Sequence, residues 1–230
     1  MSRRLTPEIL DTLSPSDPSA LASRADLQRL HPFLGQTRLW LRWMRNRYPD
    51  RPPSSLADLG SGDGHLLTTL LPTLFPQGGH GARIFFIDRQ PTLPDSALDS
   101  LRRKNWLPTV VAQDVLAWAA SAPPTELIFT NLFLHHFPDS DLKTLFLHLS
   151  HRTSTFVAAE PFRGFAGSLG ARLLRLLGCH PVTQHDARVS VEAGFRPREL
   201  SKLWPQPHNW SLTEQRVGLF THFFSAEKEI

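Results

Sequence analysis

A chain of 230 residues, 40% apolar and 20% charged, has room for one domain with a sizeable core and ordinary globular composition. It contains no apolar run of the roughly eighteen residues that a membrane-spanning helix needs, so a spanning helix is excluded. The net charge of +4 is diffuse, and its two clusters (Arg42, Arg45 and Arg47; Arg102, Arg103 and Lys104) lack interleaved aromatics. They read as solvated helix faces, which disfavours nucleic acid as a partner.

The opening MSRRLTPEIL has two arginines with no apolar stretch behind them. It does not read as a secretory signal, and the expected location is cytoplasmic. The single cysteine, Cys179, cannot form an intramolecular disulfide or a zinc site alone; it reads as a small buried apolar residue. Residues 1–23 are rich in Ser, Pro and Asp and read as a loose lead-in. From about Arg24 to Arg47, Leu27, Leu30, Phe33 and Leu34, then Leu39, Trp40, Trp43 and Met44, recur at helical spacing. Pro49, Pro52 and Pro53 end that pattern. Residues 1–50 are therefore expected to form a helical lead-in or cap, and residues 51–230 the main domain.

Strands and helices then alternate. Strands are expected at Ser55–Leu59, Ala82–Ile87, Thr109–Ala112, Leu127–Asn131 and Thr155–Ala159. Helices are expected at Leu66–Leu71 (with Pro72 just past its end), Ala97–Arg103, Val115–Ala120 and Leu142–Ser150. Short continuous apolar strands separated by helices predict a doubly wound, mostly parallel sheet covered on both faces. Further on, Phe165–Leu177 and Ala187–Ala193 read as helices, the second ended by Gly194. Strands near Pro197–Leu203 and Val217–Phe224 complete an expected seven-stranded sheet, pairing as an antiparallel hairpin at one edge.

The segment Asp58-Leu59-Gly60-Ser61-Gly62-Asp63-Gly64 lies between the first strand and its helix. Alternating glycines permit positive φ and close approach of a ligand to the backbone, and the helix start aims free N–H groups at it. The spacing is G-x-G-x-G, unlike the G-x-G-x-x-G of dinucleotide binders, and no GK[ST] follows, so neither an NAD-dependent reductase nor a P-loop enzyme fits. With Asp58 two positions before the first glycine, the loop resembles motif I of class I S-adenosylmethionine (SAM)-dependent methyltransferases. Asp88, Asp114 and Asn131 end the next three expected strands, where ligands of open α/β sheets bind.

That resemblance implies a Rossmann-like methyltransferase fold with SAM as cofactor and S-adenosylhomocysteine (SAH) as product. It implies cofactor contacts at Asp58, Gly60, Ser61, Gly62, Gly64, Asp88 (ribose hydroxyls), Asp114 (adenine side) and Asn131. Where base-methylating members carry an Asn/Asp-Pro-Pro-aromatic motif, this chain reads Asn131-Leu132-Phe133-Leu134-His135-His136-Phe137. The stretch is similar to the small-molecule branch that tailors quinones and polyketides, which implies an apolar or aromatic acceptor methylated on oxygen or carbon. Methyltransfer to protein or RNA, and a catalytically silent SAM-binding scaffold, are the alternatives.

His135, His136 and His185 are the candidate general bases. Asp186 either orients His185 or caps the helix running to Ala193. No metal is expected, since His148, His151 and Glu160 match no familiar ligand spacing. The helices near Trp40–Met44 and Phe165–Leu177 are expected to pack over the carboxyl edge of the sheet, and Glu160 to border the pocket.

Overall fold

The computed structural model describes residues 3–229 apart from Pro15 and Gln206, and excludes the side chains of Gln28, His31, Pro32, Phe33, Leu34 and Pro207. The helical periodicity read at Phe33 and Leu34 thus falls outside the described side chains. In chain order the elements are α1 (Pro18–Leu34), α2 (Gln36–Arg47), β1 (Ser55–Leu59), α3 (His65–Leu74), β2 (Arg83–Asp88), α4 (Asp95–Arg103) and β3 (Leu107–Ala112). They continue with α5 (Val115–Ser121), β4 (Thr125–Asn131), α6 (Asp139–Ser150), β5 (Thr153–Pro161), α7 (Phe165–Leu173), α8 (Pro181–Ala193), β6 (Trp210–Val217) and β7 (Thr221–Lys228).

The seven strands form one sheet in the order β3-β2-β1-β4-β5-β7-β6. The first five are parallel, and β7 runs antiparallel to both β5 and β6. Side-chain alternation along each strand feeds two apolar layers. Leu56, Ile84, Phe86, Leu127, Phe129 and Val157 pack with Trp40, Met44, Leu67 and Leu71 beneath α2, α3 and α4. Ala57, Ile87, Ile128, Phe156, Ala158 and Phe224 face the opposite way, onto Trp118, Leu145, Phe146 and Trp204. Pro108 sits in β3, an edge strand, where its missing N–H breaks no interior ladder. All five parallel strands bring their carboxyl ends to one side, and α1, α7 and α8 lie over that side as a cap.

Four expectations are corrected. The helical pattern of Arg24–Arg47 is two helices, starting earlier at Pro18 behind an Asp17 cap and broken by Gly35 at φ +71°. The helix expected to stop before Pro72 runs on to Leu74, because Pro72 forfeits one donor while the Phe75 N–H still reaches the Leu71 carbonyl at 2.8 Å. Residues 3–12 of the supposedly loose lead-in are strapped to the cap, as described below.

The fourth concerns Pro197–Leu203, which is no strand. The Trp204 N–H bonds back to the Leu200 carbonyl and Arg198 adopts φ +70°, so Leu200 and Trp204 enter the core from a helical turn, four residues apart. The hairpin is instead Trp210–Val217 with Thr221–Lys228, so the expected strand Val217–Phe224 straddles the turn between them.

Glu214 on β6 fixes this turn. Its carboxylate accepts the N–H groups of Leu200 and Ser201 at 3.0 and 2.8 Å and meets His222 Nε2 at 2.8 Å. Burial opposes its ionisation, but His222 and these donors overcome that and hold it below the ordinary carboxylate range. Replacing Glu214 by Ala leaves these partners unmet around buried Trp204. It should cost about 2–4 kcal/mol in urea unfolding, with the denaturant slope unchanged. A loss below half a kilocalorie would show that the turn holds itself.

Candidate functional site

The glycine loop hangs from the end of β2. The N–H groups of Gly60 and Ser61 both donate to the Ile87 carbonyl, at 2.8 and 3.1 Å, and Gly64 N–H closes onto Ser61 O. Gly60, Gly62 and Gly64 have φ of +72°, +53° and +65°, which explains why three glycines are needed here. Their surroundings differ. A Cβ on Gly60 would collide with the Phe133 ring at 2.3 Å, and one on Gly64 with Leu93 at 2.6 Å, but at Gly62 nothing lies within 4 Å. Two glycines therefore let protein pack closely, and the middle one opens onto free space.

Asp88, at the carboxyl end of β2, faces that loop. Its two oxygens accept the N–H groups of Gly62 and Gln90 at 2.9 and 2.8 Å, each keeping a lone pair to offer. Asp58, two residues before Gly60, is buried, and no donor among the described residues hydrogen-bonds its carboxylate. Burial, then the negative charges of Asp88 and Asp63, push its pKa well above the ordinary value. The Ser61 hydroxyl is likewise buried without a partner. A buried, unmet carboxylate beside a second one is costly unless a cation or donor completes it. Asp58, Ser61 and Asp88 thus leave unspent acceptors around the open backbone at Gly62.

The other two strand ends are already engaged. Asp114 caps α5, accepting from the N–H groups of Leu116 and Ala117, and its other oxygen takes the Arg89 guanidinium at 2.6 and 2.9 Å. Burial works against its ionisation, but Arg89 and the two amides prevail and lower its pKa. Asn131 accepts from Trp40 Nε1 at 2.9 Å and donates to Gln36 at 3.2 Å. It therefore ties α2 to the end of β4. The adenine-side role expected of Asp114 and the cofactor contact expected of Asn131 meet side chains already committed to a cap and a clamp.

The two adjacent histidines keep their rings together, centroids 4.3 Å apart and tilted by 33°, but differ in burial and partners. His135 is buried, with Nδ1 2.8 Å from Glu160 and Nε2 3.3 Å from Glu8. Burial alone would depress its pKa; hydrogen bonds to both carboxylates and their charges reverse that, raising it from 6.5 to about 9. Both ring nitrogens of His135 are thus engaged, Nδ1 by Glu160 and Nε2 by Glu8. His136 is partly exposed, its Nδ1 3.4 Å from Asp11 and its ring beside Phe133. His185 is also partly exposed, and its Nδ1 meets Asp186 at 3.0 Å. Asp186 is no helix cap, since His180 caps α8 and Asp186 lies inside that helix.

Glu160 is fully buried at the end of β5. It accepts the N–H groups of Phe133, Leu134 and His135 at 3.0, 2.9 and 3.3 Å, besides His135 Nδ1. The preceding residue, Leu132, sits at φ +55°, an unfavourable conformation for a leucine that this anchoring sustains. From the other side comes the N-terminal strap. Glu8 also accepts from the Ser190 hydroxyl, the Ile9 and Leu10 N–H groups reach Asp186 at 2.8 and 2.9 Å, and Arg3 bonds the carbonyls of Ala193 and Phe137.

No signal in the sequence marks Glu8, Arg3 or Gln36, whose partners lie more than ninety residues away. The ligand atoms of Glu8, His135 and His136 all lie within 4.8 Å of one another. His148 and His151 sit at the opposite end of β5 from Glu160. Cys179 is buried and in no disulfide, and the Arg29 guanidinium donates to its sulfur at 3.7 Å.

No protein-family model matches the chain, and no curated protein matches it. Solved structures do. The plantazolicin methyltransferase BpumL in complex with SAH aligns at a TM-score of 0.65 and 15% identity, over 93% of this chain and 92% of that one. Magnesium protoporphyrin IX methyltransferase from Synechocystis with bound SAH aligns at 0.53 and 15%, over 84% and 82%. The pyocyanin biosynthetic protein PhzM aligns at 0.55 and 15%, over 82% of this chain and 54% of that one. At such identities the likeness defines the fold: this chain has the Rossmann-like methyltransferase fold.

The His135 pair carries a pH signature. A histidine whose folded pKa exceeds its unfolded 6.5 adds stability that is fully present below 6.5 and is lost as pH rises through about 9. Between about pH 7 and pH 10 the protein should lose on the order of 3 kcal/mol from this residue, lowering Tm by several degrees. His135→Gln should start less stable and lack that decline. Parallel Tm curves for the two proteins would mean that the ring is neutral when folded.

Proposed function

We propose that this chain transfers the methyl group of S-adenosylmethionine to an apolar or aromatic small-molecule acceptor, by O- or C-methylation. The observation that carries the reading is the set of unspent acceptors at the ends of β1 and β2. There a buried carboxylate lacks a donor, a second keeps free lone pairs, and the loop between opens at Gly62. SAM offers an α-ammonium, a ribose diol and a sulfonium, so each unmet acceptor has a matching donor or cation. The likeness to structures that hold SAH supports the same reading.

When bound, SAM supplies an electrophilic methyl group. The residues of this chain supply placement. Asp88 would accept from the ribose hydroxyls, with Asp58 and Ser61 meeting the amino acid end and the Gly62 backbone lying along the cofactor. Burial and the charges of Asp88 and Asp63 raise the pKa of Asp58, and an ammonium beside it would act in the opposite direction. Asp114 would act through its cap and Arg89, and Asn131 through α2; both are positioning residues in this scheme.

Because His135 is engaged by carboxylates at both ring nitrogens, His136 is preferred among the candidate bases. It is partly exposed and has a carboxylate partner in Asp11. Phe133 and Phe137 stand beside it with ring centroids 5.0 Å apart, a setting suited to an aromatic or apolar acceptor. His185, bonded to Asp186 on α8, is the second candidate. Exclusion of water and collinear placement of acceptor, methyl and sulfur would supply most of the rate.

Isothermal calorimetry with SAH tests the cofactor half. The natural protein should give a binding heat, and Gly62→Val should abolish it, because the added side chain enters the only one of the three loop glycines that faces open space. Asp88→Ala should weaken SAH by roughly ten- to a hundredfold. No heat from the folded natural protein removes the assignment. SAM consumption against phenols, quinones and polyketide-like lipids tests the acceptor half. There His136→Ala should slow turnover about a hundredfold with SAH affinity intact. Unchanged turnover would clear His136, and the same substitution at His185 would then be decisive.

A further inference from the structure

Helices of a globular domain normally turn their large apolar side chains inward. Helix α7 does the reverse. Its buried residues are Gly167 and Ala171. A Cβ on Gly167 would lie 2.9 Å from Val191 on α8, and one on Gly170 would lie 2.9 Å from Phe220 in the β6–β7 turn. Small residues thus seat the helix, while Phe165, Leu169 and Leu173 follow at four-residue spacing on the outer face. Leu176 and Leu177 extend that face past the helix end. Phe165 is 82% exposed, Leu176 81% and Leu177 61%. An apolar crest of this size on a soluble face needs an occupant.

The charge beside it identifies the occupant. Residues 161–185 contain Arg163, Arg172 and Arg175 but no Asp or Glu. Arg172, Arg175 and Arg188, with Gln184, line a groove of about 290 Å³ between α7 and α8. Among the described residues Arg188 pairs with Glu192, whereas Arg172 and Arg175 meet no carboxylate. Exposed leucines and a phenylalanine bordered by unpaired arginines match the gradient of a lipid interface, from acyl chain to phosphate.

We propose that this face of α7, continued through Leu176 and Leu177, docks on an anionic lipid bilayer, with the arginine groove taking lipid phosphate. A second copy of the chain fits less well, because a twofold contact centred on the crest would bring the same arginines face to face. Nucleic acid would satisfy the arginines and leave the crest in water. Since α7 follows directly on the carboxyl end of β5, docking places the Glu160 end of the sheet near the membrane. An apolar acceptor would then reach the site from lipid. That last clause rests on the methyltransfer reading; the docking does not.

Flotation of the full chain with vesicles tests it, using phosphatidylcholine alone against phosphatidylcholine containing phosphatidylglycerol. The chain should float with the anionic vesicles and hardly with the neutral ones, and less as salt rises. Phe165→Ser with Leu176→Ser, and separately Arg172→Glu with Arg175→Glu, should each weaken partition about tenfold or more. Both double variants should keep the natural circular dichroism spectrum and SAH heat. Failure to float, or equal flotation with both vesicle types, overturns the proposal. So does a dimer in light scattering that Phe165→Ser with Leu176→Ser dissolves, which would assign the crest to self-association. If flotation fails while the SAH heat remains, only the docking falls.

Discussion

A carboxylate without access to water must be met by donors, and Glu160 is met by four. Three are backbone N–H groups of one short turn, Leu134–His136 and the residue before it. This fixes the path of the chain after β4, holds Leu132 at positive φ, and sets Phe133 against Gly60. The fourth donor is His135, whose other nitrogen reaches Glu8. One buried negative charge therefore positions the acceptor-side turn, the glycine loop and the N-terminal strap together. Each of these elements would otherwise be a surface loop free to choose among conformations.

The same arrangement explains why neighbouring histidines have different fates. The two rings lie side by side, centroids 4.3 Å apart, so their partners and burial distinguish them. With His135 drawn inward between two carboxylates, His136 is left at the surface of the turn, among Phe133, Phe137 and Asp11. The polarity of the site is graded accordingly. At the ends of β1 and β2, Asp58 has no donor among the described residues and Asp88 keeps free lone pairs beside its two amides, whereas Glu160 at the end of β5 and Asp114 after β3 are saturated. An incoming cation gains most where Asp58 and Asp88 lie, and gains little from Glu160 or Asp114, whose charges are already answered.

Much of this was legible in the sequence for a local reason. Asp58, the three glycines and Asp88 are each read within a strand-turn-helix unit, so spacing alone places them. The five parallel strands were legible because continuous apolar runs have no other stable home. What was not legible depends on contacts far along the chain. Glu8 pairs with a residue 127 positions away, and Ile9 with one 177 positions away, and nothing in MSRRLTPEIL announces either. Asp114 and Asn131 were found at the right strand ends, but their commitments to Arg89, Trp40 and Gln36 depend on side-chain geometry. The segment Pro197–Leu203 misled because Leu200 and Trp204 are core residues delivered by a turn. Burial and extended structure often coincide, and here they do not.

Helix α7 shows the same limit from the other direction. Its leucines recur at helical spacing, and that spacing was read as a helix packed over the sheet edge. The period of a pattern tells which residues share a face; it does not tell whether protein or something else covers that face. In Phe165–Leu173 the deciding residues are the small ones. Gly167, Gly170 and Ala171 allow the backbone to approach α8 and Phe220 closely, and this leaves the opposite, bulkier face outward. A cap seated by glycines and strapped by buried ion pairs keeps its apolar surface for use elsewhere. The sheet below spends its apolar surface on itself, so its strands could be read from sequence while the purpose of the cap could not.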